Sequence, residues 1–227
     1  MISIKHKLIT ITSFSLFALS SNVFAYKQTD VAEFSFLVQS NELSLKYPNS
    51  VNRTKVSTLR ATWWQPLTKW LQGAISLAYV DMSQNTYATV PAYSSTGYDL
   101  GIGLRGTIVQ NNILNFGLRF TFDYLSTSGG TSLNNRTEVS WLQYIGSADF
   151  EFLPTSPVSI LLGANYTVID GEQKIYNTFN TIHSFSANVP EGYYAGLGIK
   201  TGKEGRIEMK WNEGTRQGFY ITFSNKF

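Results

Sequence analysis

The sequence contains no cysteine, only 6 prolines and 2 histidines among 227 residues. Without cysteine an exported chain of this size must be held together by something other than disulfides. Histidine is nearly as scarce, and His6 falls in the first segment, so histidine-dependent chemistry would have to run through His183 alone. Long hydrophobic runs are also missing: after Ala25 no window is apolar for the roughly 20 residues that a membrane helix needs. Mean hydropathy is −0.10, that of a polar protein. A helical membrane protein is thereby excluded. A membrane β-barrel is not, because its lipid-facing and lumen-facing residues alternate and cancel in any average.

What is present begins with an export signal. MISIKHK carries two lysines, LITITSFSLFALSS is apolar with small hydroxyls, and Asn22-Val23-Phe24-Ala25 places small or branched residues at a cleavage site. This reads as a secretory signal peptide over 1–25, removed after Ala25, leaving one domain over 26–227. Removal takes Lys5 and Lys7 from the 18 basic residues and none from the 15 acids, which leaves 16 against 15 and a net charge of +1. The sequence pI of 9.0 therefore overstates any case for nucleic acid.

The dominant pattern has period two. From Leu114 the even positions read Leu114, Phe116, Leu118, Phe120, Phe122, Tyr124, while the odd positions read Asn115, Gly117, Arg119, Thr121, Asp123. One face is apolar over the 9 to 11 residues of a membrane strand and the other carries ions. The same alternation runs through Phe34 to Val38, Leu59 to Trp63, Leu71 to Tyr79, Tyr98 to Leu104, Leu142 to Phe152, Val158 to Tyr166, Tyr193 to Ile199, Ile207 to Trp211 and Phe219 to Phe227. The expectation is an all-β, up-and-down antiparallel transmembrane barrel of about ten strands, with eight or twelve as neighbouring possibilities.

Connections alternate in length. QPLTK at Gln65, VQNN at Val109, LPTSP at Leu153 and TGKEG at Thr201 read as tight periplasmic turns. The segments Tyr47 to Lys55, Ser83 to Thr96, Leu125 to Arg136 and Asp170 to Gly192 read as long extracellular loops, the last of them a hairpin above the membrane. Both termini are then periplasmic. Pro48, Pro66, Pro91, Pro154, Pro157 and Pro190 all fall in these connections, as the missing ladder donor requires. Two places depart from the pattern. Leu43, Leu45 and Tyr47 switch parity relative to Phe34 to Val38, which implies a bulge or an extension beyond the membrane. Trp141 falls on the lumenal parity, so either it caps the lumen or the register slips there.

Tyr79, Tyr98, Tyr124, Tyr166, Tyr193 and Trp211 sit at the loop ends of their strands on the lipid-facing parity, where amphipathic rings form an interfacial girdle. Trp63, Phe116, Phe152 and Phe227 would form the girdle on the other side. With the signal sequence and the alternating strands, QGFYITFSNKF resembles the last strand of small Gram-negative outer-membrane β-barrels, the broad OmpA, OmpX and Opa-like class. The resemblance spans the mature chain and implies an outer-membrane location. It also implies that Phe219, Ile221, Phe223 and Phe227 are read by the barrel assembly machinery.

The lumenal parity collects Glu33, Arg60, Asp99, Arg105, Arg119, Asp123, Asp149, Glu151, Lys200, Glu208 and Lys210. Such mixed charge fits a salt-bridged plug, since buried ions must be paired. It also fits a narrow pore in which Arg105 and Arg119 face Asp99 and Asp123 across a constriction. Asp99 and Asp123 on neighbouring strands invite comparison with a divalent-ion site, but a neighbouring arginine accounts for them as well. His183 in IHSFSAN invites comparison with lipid-modifying barrels, whose serine lies two places after the histidine. Here that place holds Phe185, between Ser184 and Ser186. Neither a catalytic constellation nor a metal or cofactor site is expected. Loops rich in Ser, Thr, Asn and Tyr suit adaptable binding, and Lys46, Arg53 and Lys55 suit lipopolysaccharide phosphates. The expected function is a monomeric structural or surface-interaction protein, touching outer-membrane lipid, lipopolysaccharide and a host or envelope ligand. A narrow passive pore is the alternative, and a lipid hydrolase the more distant one.

Overall fold

The computed structural model describes residues 31–85, 92–133, 135–176 and 180–227; the signal segment lies outside them. The strands are β1 (Glu33–Tyr47), β2 (Ser50–Pro66), β3 (Leu71–Gln84), β4 (Tyr93–Gln110), β5 (Leu114–Thr131) and β6 (Arg136–Phe152). They continue as β7 (Val158–Tyr176), β8 (Thr181–Ala187), β9 (Glu191–Lys200), β10 (Gly205–Gly214) and β11 (Arg216–Lys226). All pair antiparallel. The ring β1 to β7, β9, β10, β11 closes where β11 meets β1, from Glu33↔Lys226 to Leu43↔Arg216. Ten strands thus leave no edge, which is how a sheet survives without water on its outer face.

The expected turns sit where the spacing places them. Asn111 illustrates their chemistry, its side chain accepting from the N–H groups of Ile113 and Leu114, both at 2.8 Å. A bulge between Thr107 and Val109 precedes that turn.

The long loops are a correction, because most of their described residues are strand; 86–91, 134 and 177–179 of them lie outside the described residues. β1 and β2 run in unbroken register from Glu33↔Trp64 to Tyr47↔Ser50, so the segment Tyr47 to Lys55 is a tight turn and a strand rather than a loop. β5 and β6 likewise continue to Gly130↔Arg136. The parity switch at Leu43 involves no bulge. Along β1, Phe34, Phe36 and Val38 are exposed and point outward, whereas Leu43, Leu45 and Tyr47 are buried and point inward. The same exchange occurs at Leu59 and Val56 on β2, Tyr79 and Val80 on β3, Tyr124 and Leu125 on β5, Leu142 and Trp141 on β6, and Val168 and Ile169 on β7. Trp141 is accordingly an inward plug residue in an unslipped register.

The physical reason is the solvent outside. Where lipid surrounds the barrel, apolar residues face out and ions face in. Where water surrounds it, the ordinary hydrophobic effect drives the same alternating strands the other way. Above the exchange the outward residues include Ser40, Ser44, Ser57, Ser83, Ser94, Thr96, Ser126, Ser128 and Ser140, with scattered charges and a few apolar residues, Val51, Tyr176 and Ile182. The stretch from Val38 to Tyr47, on a tilted strand, carries the wall on the order of 20 Å beyond the belt.

In this upper region the ring itself changes. β7 continues past β9 and turns back as β8, pairing from Asp170↔Ser186 to Ile175↔Thr181. β8 then pairs with β1 at Leu45↔Ala187 and Lys46↔Ser186. The strands β1 to β8 therefore close a second, eight-stranded ring above the ten-stranded one. The chain steps down between the rings at 188–190. Asn188 donates its N–H to Ser44 O at 2.9 Å, and the Thr215 hydroxyl donates to Val189 O at 2.5 Å. Beneath that step the β10–β11 connection turns at Gly214, whose φ of 96° favours glycine and whose added Cβ would lie 2.2 Å from Glu191 O.

Candidate functional site

The lumen has two storeys. The lower one, inside the ten-stranded ring, is ionic. Arg105 donates to both oxygens of Glu33 (3.1 and 2.8 Å) and to Gln72 (2.5 Å), and its guanidinium lies 4.3 Å over the Trp64 ring. Arg119, 5.8 Å from the same ring, pairs with Asp149 at 3.2 Å. The Tyr194 hydroxyl also donates to Asp149, at 2.6 Å, and Lys210 sits 4.9 Å over the Tyr194 ring. Lys210 in turn pairs with Glu208 (2.8 Å), Glu208 with Arg206 (2.9 Å) and Arg206 with Glu151 (2.6 Å). One chain of ion pairs and ring contacts thus crosses the barrel. Nearer the upper storey, Arg60 donates to Asp99 and, at 2.9 Å, to Asp123, while Arg216 donates to Gln143.

This pairing corrects the expected constriction. Arg105 and Arg119 do not face Asp99 and Asp123; they hold Glu33 and Asp149, and Arg60 takes both aspartates. Lys200 ends β9 in an exposed position. Arg206, Arg216, Tyr194 and Trp64 belong to the lumen and are not among the residues expected there from sequence. Inward parity marks all four, but outward aromatics beside them, such as Trp63 and Tyr193, dominate the local pattern. Six cations (Arg60, Arg105, Arg119, Arg206, Lys210, Arg216) meet six carboxylates (Glu33, Asp99, Asp123, Asp149, Glu151, Glu208), so the lower lumen is neutral. Among the described residues no three metal-ligating side chains stand together.

The upper storey has an apolar core, with Asn52, Thr54, Gln84, Thr137 and Gln173 buried beside it. Leu43, Leu45, Tyr47, Val56, Val80, Met82, Tyr93, Leu125, Val139, Trp141, Ile169 and Phe185 form one buried cluster inside the eight-stranded ring. Phe185 meets Trp141 edge-on at 6.0 Å and Tyr47 at 5.4 Å. The Tyr47 hydroxyl is satisfied by Gln173 at 3.1 Å, and burial pushes the Tyr47 and Tyr93 phenols above their ordinary pKa. Eight strands enclose just enough room for side chains to fill. His183 lies on the inward face of β8 opposite Gln173, whereas Ser184 and Ser186 point outward. Alternation along a strand therefore keeps the histidine from either serine.

On the outer wall Tyr79, Tyr98, Tyr124, Tyr166, Tyr193 and Trp211 are exposed at the upper edge of the apolar belt. Phe219 and Phe223 face outward, Ile221 shares their face, and Phe227 stacks on Trp63 with centroids 6.3 Å apart. A groove of about 620 Å³ runs between two rungs of the belt from Phe34 to Tyr124 and faces lipid like the rest of it.

No protein-family model matches the sequence, and no curated protein matches it either. Solved structures do. The translocator domain of the autotransporter NalP from Neisseria meningitidis aligns with a TM-score of 0.52 at 10% identity, covering 98% of this chain and 96% of that one. The chain has the fold of an outer-membrane β-barrel. Weaker likenesses include Ail, the attachment invasion locus protein of Yersinia pestis, solved with the heparin analogue sucrose octasulfate (TM-score 0.39, 16% identity, 86% and 99% covered). Another is the COG4313 outer membrane channel from Pseudomonas putida F1 (TM-score 0.43, 9% identity, 91% and 98% covered). At these identities the likeness concerns fold alone.

Proposed function

We propose that the protein is a closed outer-membrane barrel that acts through its outer surface, neither conducting nor catalysing. In this reading the short turns and both termini are periplasmic and the eight-stranded cap stands outside the cell. The barrel is monomeric, and the assembly machinery reads its last strand through Phe219, Ile221, Phe223 and Phe227. The observation that carries the reading is the apolar core of the cap. A filled eight-stranded ring above a neutral lower lumen leaves ions no wet path, since a dry apolar section is a barrier to any charge. The wall of the cap, a rigid sheet carpeted with serine and scattered charge, is then the surface offered to lipopolysaccharide and to host or envelope ligands.

Conductance in a planar bilayer tests it. The inserted barrel should be silent, and the double variant Trp141→Ala with Phe185→Ala, which empties the centre of the cap, should give discrete steps. Steps in the unaltered protein that change size with Arg119→Ala would overturn the reading in favour of a narrow pore.

A further inference from the structure

We infer that the outward face of β1 and β2, rising above the apolar belt, binds phosphate groups of membrane lipid. Lys46, Arg53 and Lys55 stand there on adjacent strands, exposed on one flat face. Lys55 lies opposite Glu42, Arg53 opposite Ser44, and Lys46 opposite both Val51 and, on β8, Ser186. Lys55 and Arg53 are successive residues on one face of β2 and lie about 7 Å apart, while Lys46 reaches Arg53 along the diagonal. Three cations thus climb one face in a line, each step of a size that a phosphate group can bridge, with the hydroxyls of Ser44, Ser57 and Ser83 beside them. Asp81 stands on the neighbouring β3 opposite Ser57, and Glu42 is the one acid that β1 and β2 themselves place on this face. It approaches Arg53 at 3.5 Å, with the Arg53 side chain 79% exposed. Among the described residues neither Lys46 nor Lys55 has an acidic partner. The contrast is the wall formed by β6 and β7, where Arg136 pairs with Glu138 and Lys174 with Glu172 at 3.5 Å, and Asp170 is left over. The β6–β7 wall sets two cations against three acids, whereas β1 and β2 set three cations against one.

Height names the partner. On β2 the apolar belt ends at Leu59; Lys55 stands two outward positions beyond it and Arg53 three, with Val51 the one outward apolar residue above them. Long basic side chains at that level reach the headgroup layer, where anionic lipid attracts them. Charge-assisted bonds to phosphate oxygens complete the match. The partner is a phosphate-bearing membrane lipid, held in the plane of the bilayer rather than from solution. The inference rests on the proposed orientation of the barrel but not on its being closed, so conductance and lipid binding fail separately.

The test compares the full barrel with Lys46→Ser/Arg53→Ser/Lys55→Ser. A second variant, Arg136→Ser/Lys174→Ser, controls for charge on the other wall, and gel mobility before and after heating verifies folding of each. Retention of bis-phosphorylated lipid A, and of its dephosphorylated form, is read by mass spectrometry of the intact protein released from micelles. The unaltered barrel should keep the phosphorylated lipid, and the triple variant should lose it by about a hundredfold, roughly what removing three surface cations takes away. The control variant should keep it. Equal retention by the triple variant, or of the dephosphorylated lipid, would overturn the inference. So would heparin binding from solution that vanishes in the triple variant while lipid retention stays unchanged. Should the triple variant fail to fold, Lys55→Ser alone decides, by a several-fold loss or none.

Discussion

Gly163 and Gly171 lie on the same face of β7 and use one device in two solvents. At Gly163 the Tyr194 ring from β9 lies across the backbone, and a Cβ would fall 2.4 Å from it. At Gly171 the Phe185 ring from β8 does the same, at 2.5 Å. The lower ring carries a hydroxyl that donates to Asp149, and the upper one packs on Trp141 and Tyr47. A glycine covered by a cross-strand aromatic is thus indifferent to what surrounds it. The surroundings are set by ring size and by the outer solvent. Ten strands leave space that only long, paired, charged side chains span. Eight strands close on aliphatic and aromatic ones.

The comparison breaks most severely in the lower storey. Arg60→Ala strands Asp99 and Asp123, both nearly buried, and should cost about 3–5 kcal/mol in urea unfolding of the micelle-bound barrel. Replacing all three together, Arg60→Met with Asp99→Asn and Asp123→Asn, should restore most of that loss. If the triple variant is no more stable than the single one, the ionic storey is not a balance of paired charges.

The glycine pair sharpens the parallel. Gly171→Ala and Gly163→Ala each force a ring to move, for about 1–3 kcal/mol in the same assay. Only Gly163→Ala should disturb the environment of Asp149, visible as a changed carboxyl signal by NMR. Equal effects on Asp149 from both would mean that the storeys are coupled.

Smaller still is an effect on the outer wall of the cap. The Tyr176 hydroxyl, donating at 2.6 Å, and then Arg136 hold the Glu138 carboxyl below its ordinary pKa. Folding therefore favours the ionised form. The resulting stabilisation is present above the ordinary glutamate range and fades as pH falls through the depressed folded value. Tyr176→Phe should move the Glu138 titration upward, followed by carboxyl NMR, with no change in the plug. An unmoved titration would leave the hydrogen bond without energetic weight.

The ten-stranded ring was legible because sustained period-two alternation, with large apolar residues on one face and ions on the other, suits a lipid-facing strand and little else; Leu114 to Tyr124 alone displays it. The cap was half legible. Leu43, Leu45 and Tyr47 announce a change of face, yet a strand that reverses its inside and outside without a bulge looks in sequence like a loop. Serines at Ser40, Ser44 and Ser57 strengthen that impression, since hydroxyl-rich stretches also mark loops. The partners of the arginines were not legible at all. Whether Arg105 meets Glu33 or Asp99 depends on how far the strands shear before β11 meets β1, and no local spacing carries that offset. The closure of β8 on β1 is equally remote, resting on two residue pairs far apart in the chain.

The central claim is that the upper storey is dry and closed, and the absence of cysteine makes it directly measurable. Val80, fully buried and facing inward, and Asp81, its exposed outward neighbour, are each replaced by cysteine in the otherwise unaltered barrel and treated with a charged maleimide from both sides of a vesicle. The account predicts that Asp81→Cys labels readily and Val80→Cys from neither side until the barrel is unfolded. Labelling of Val80→Cys at a comparable rate in the folded barrel would contradict it, because water and ions would then reach the middle of the cap.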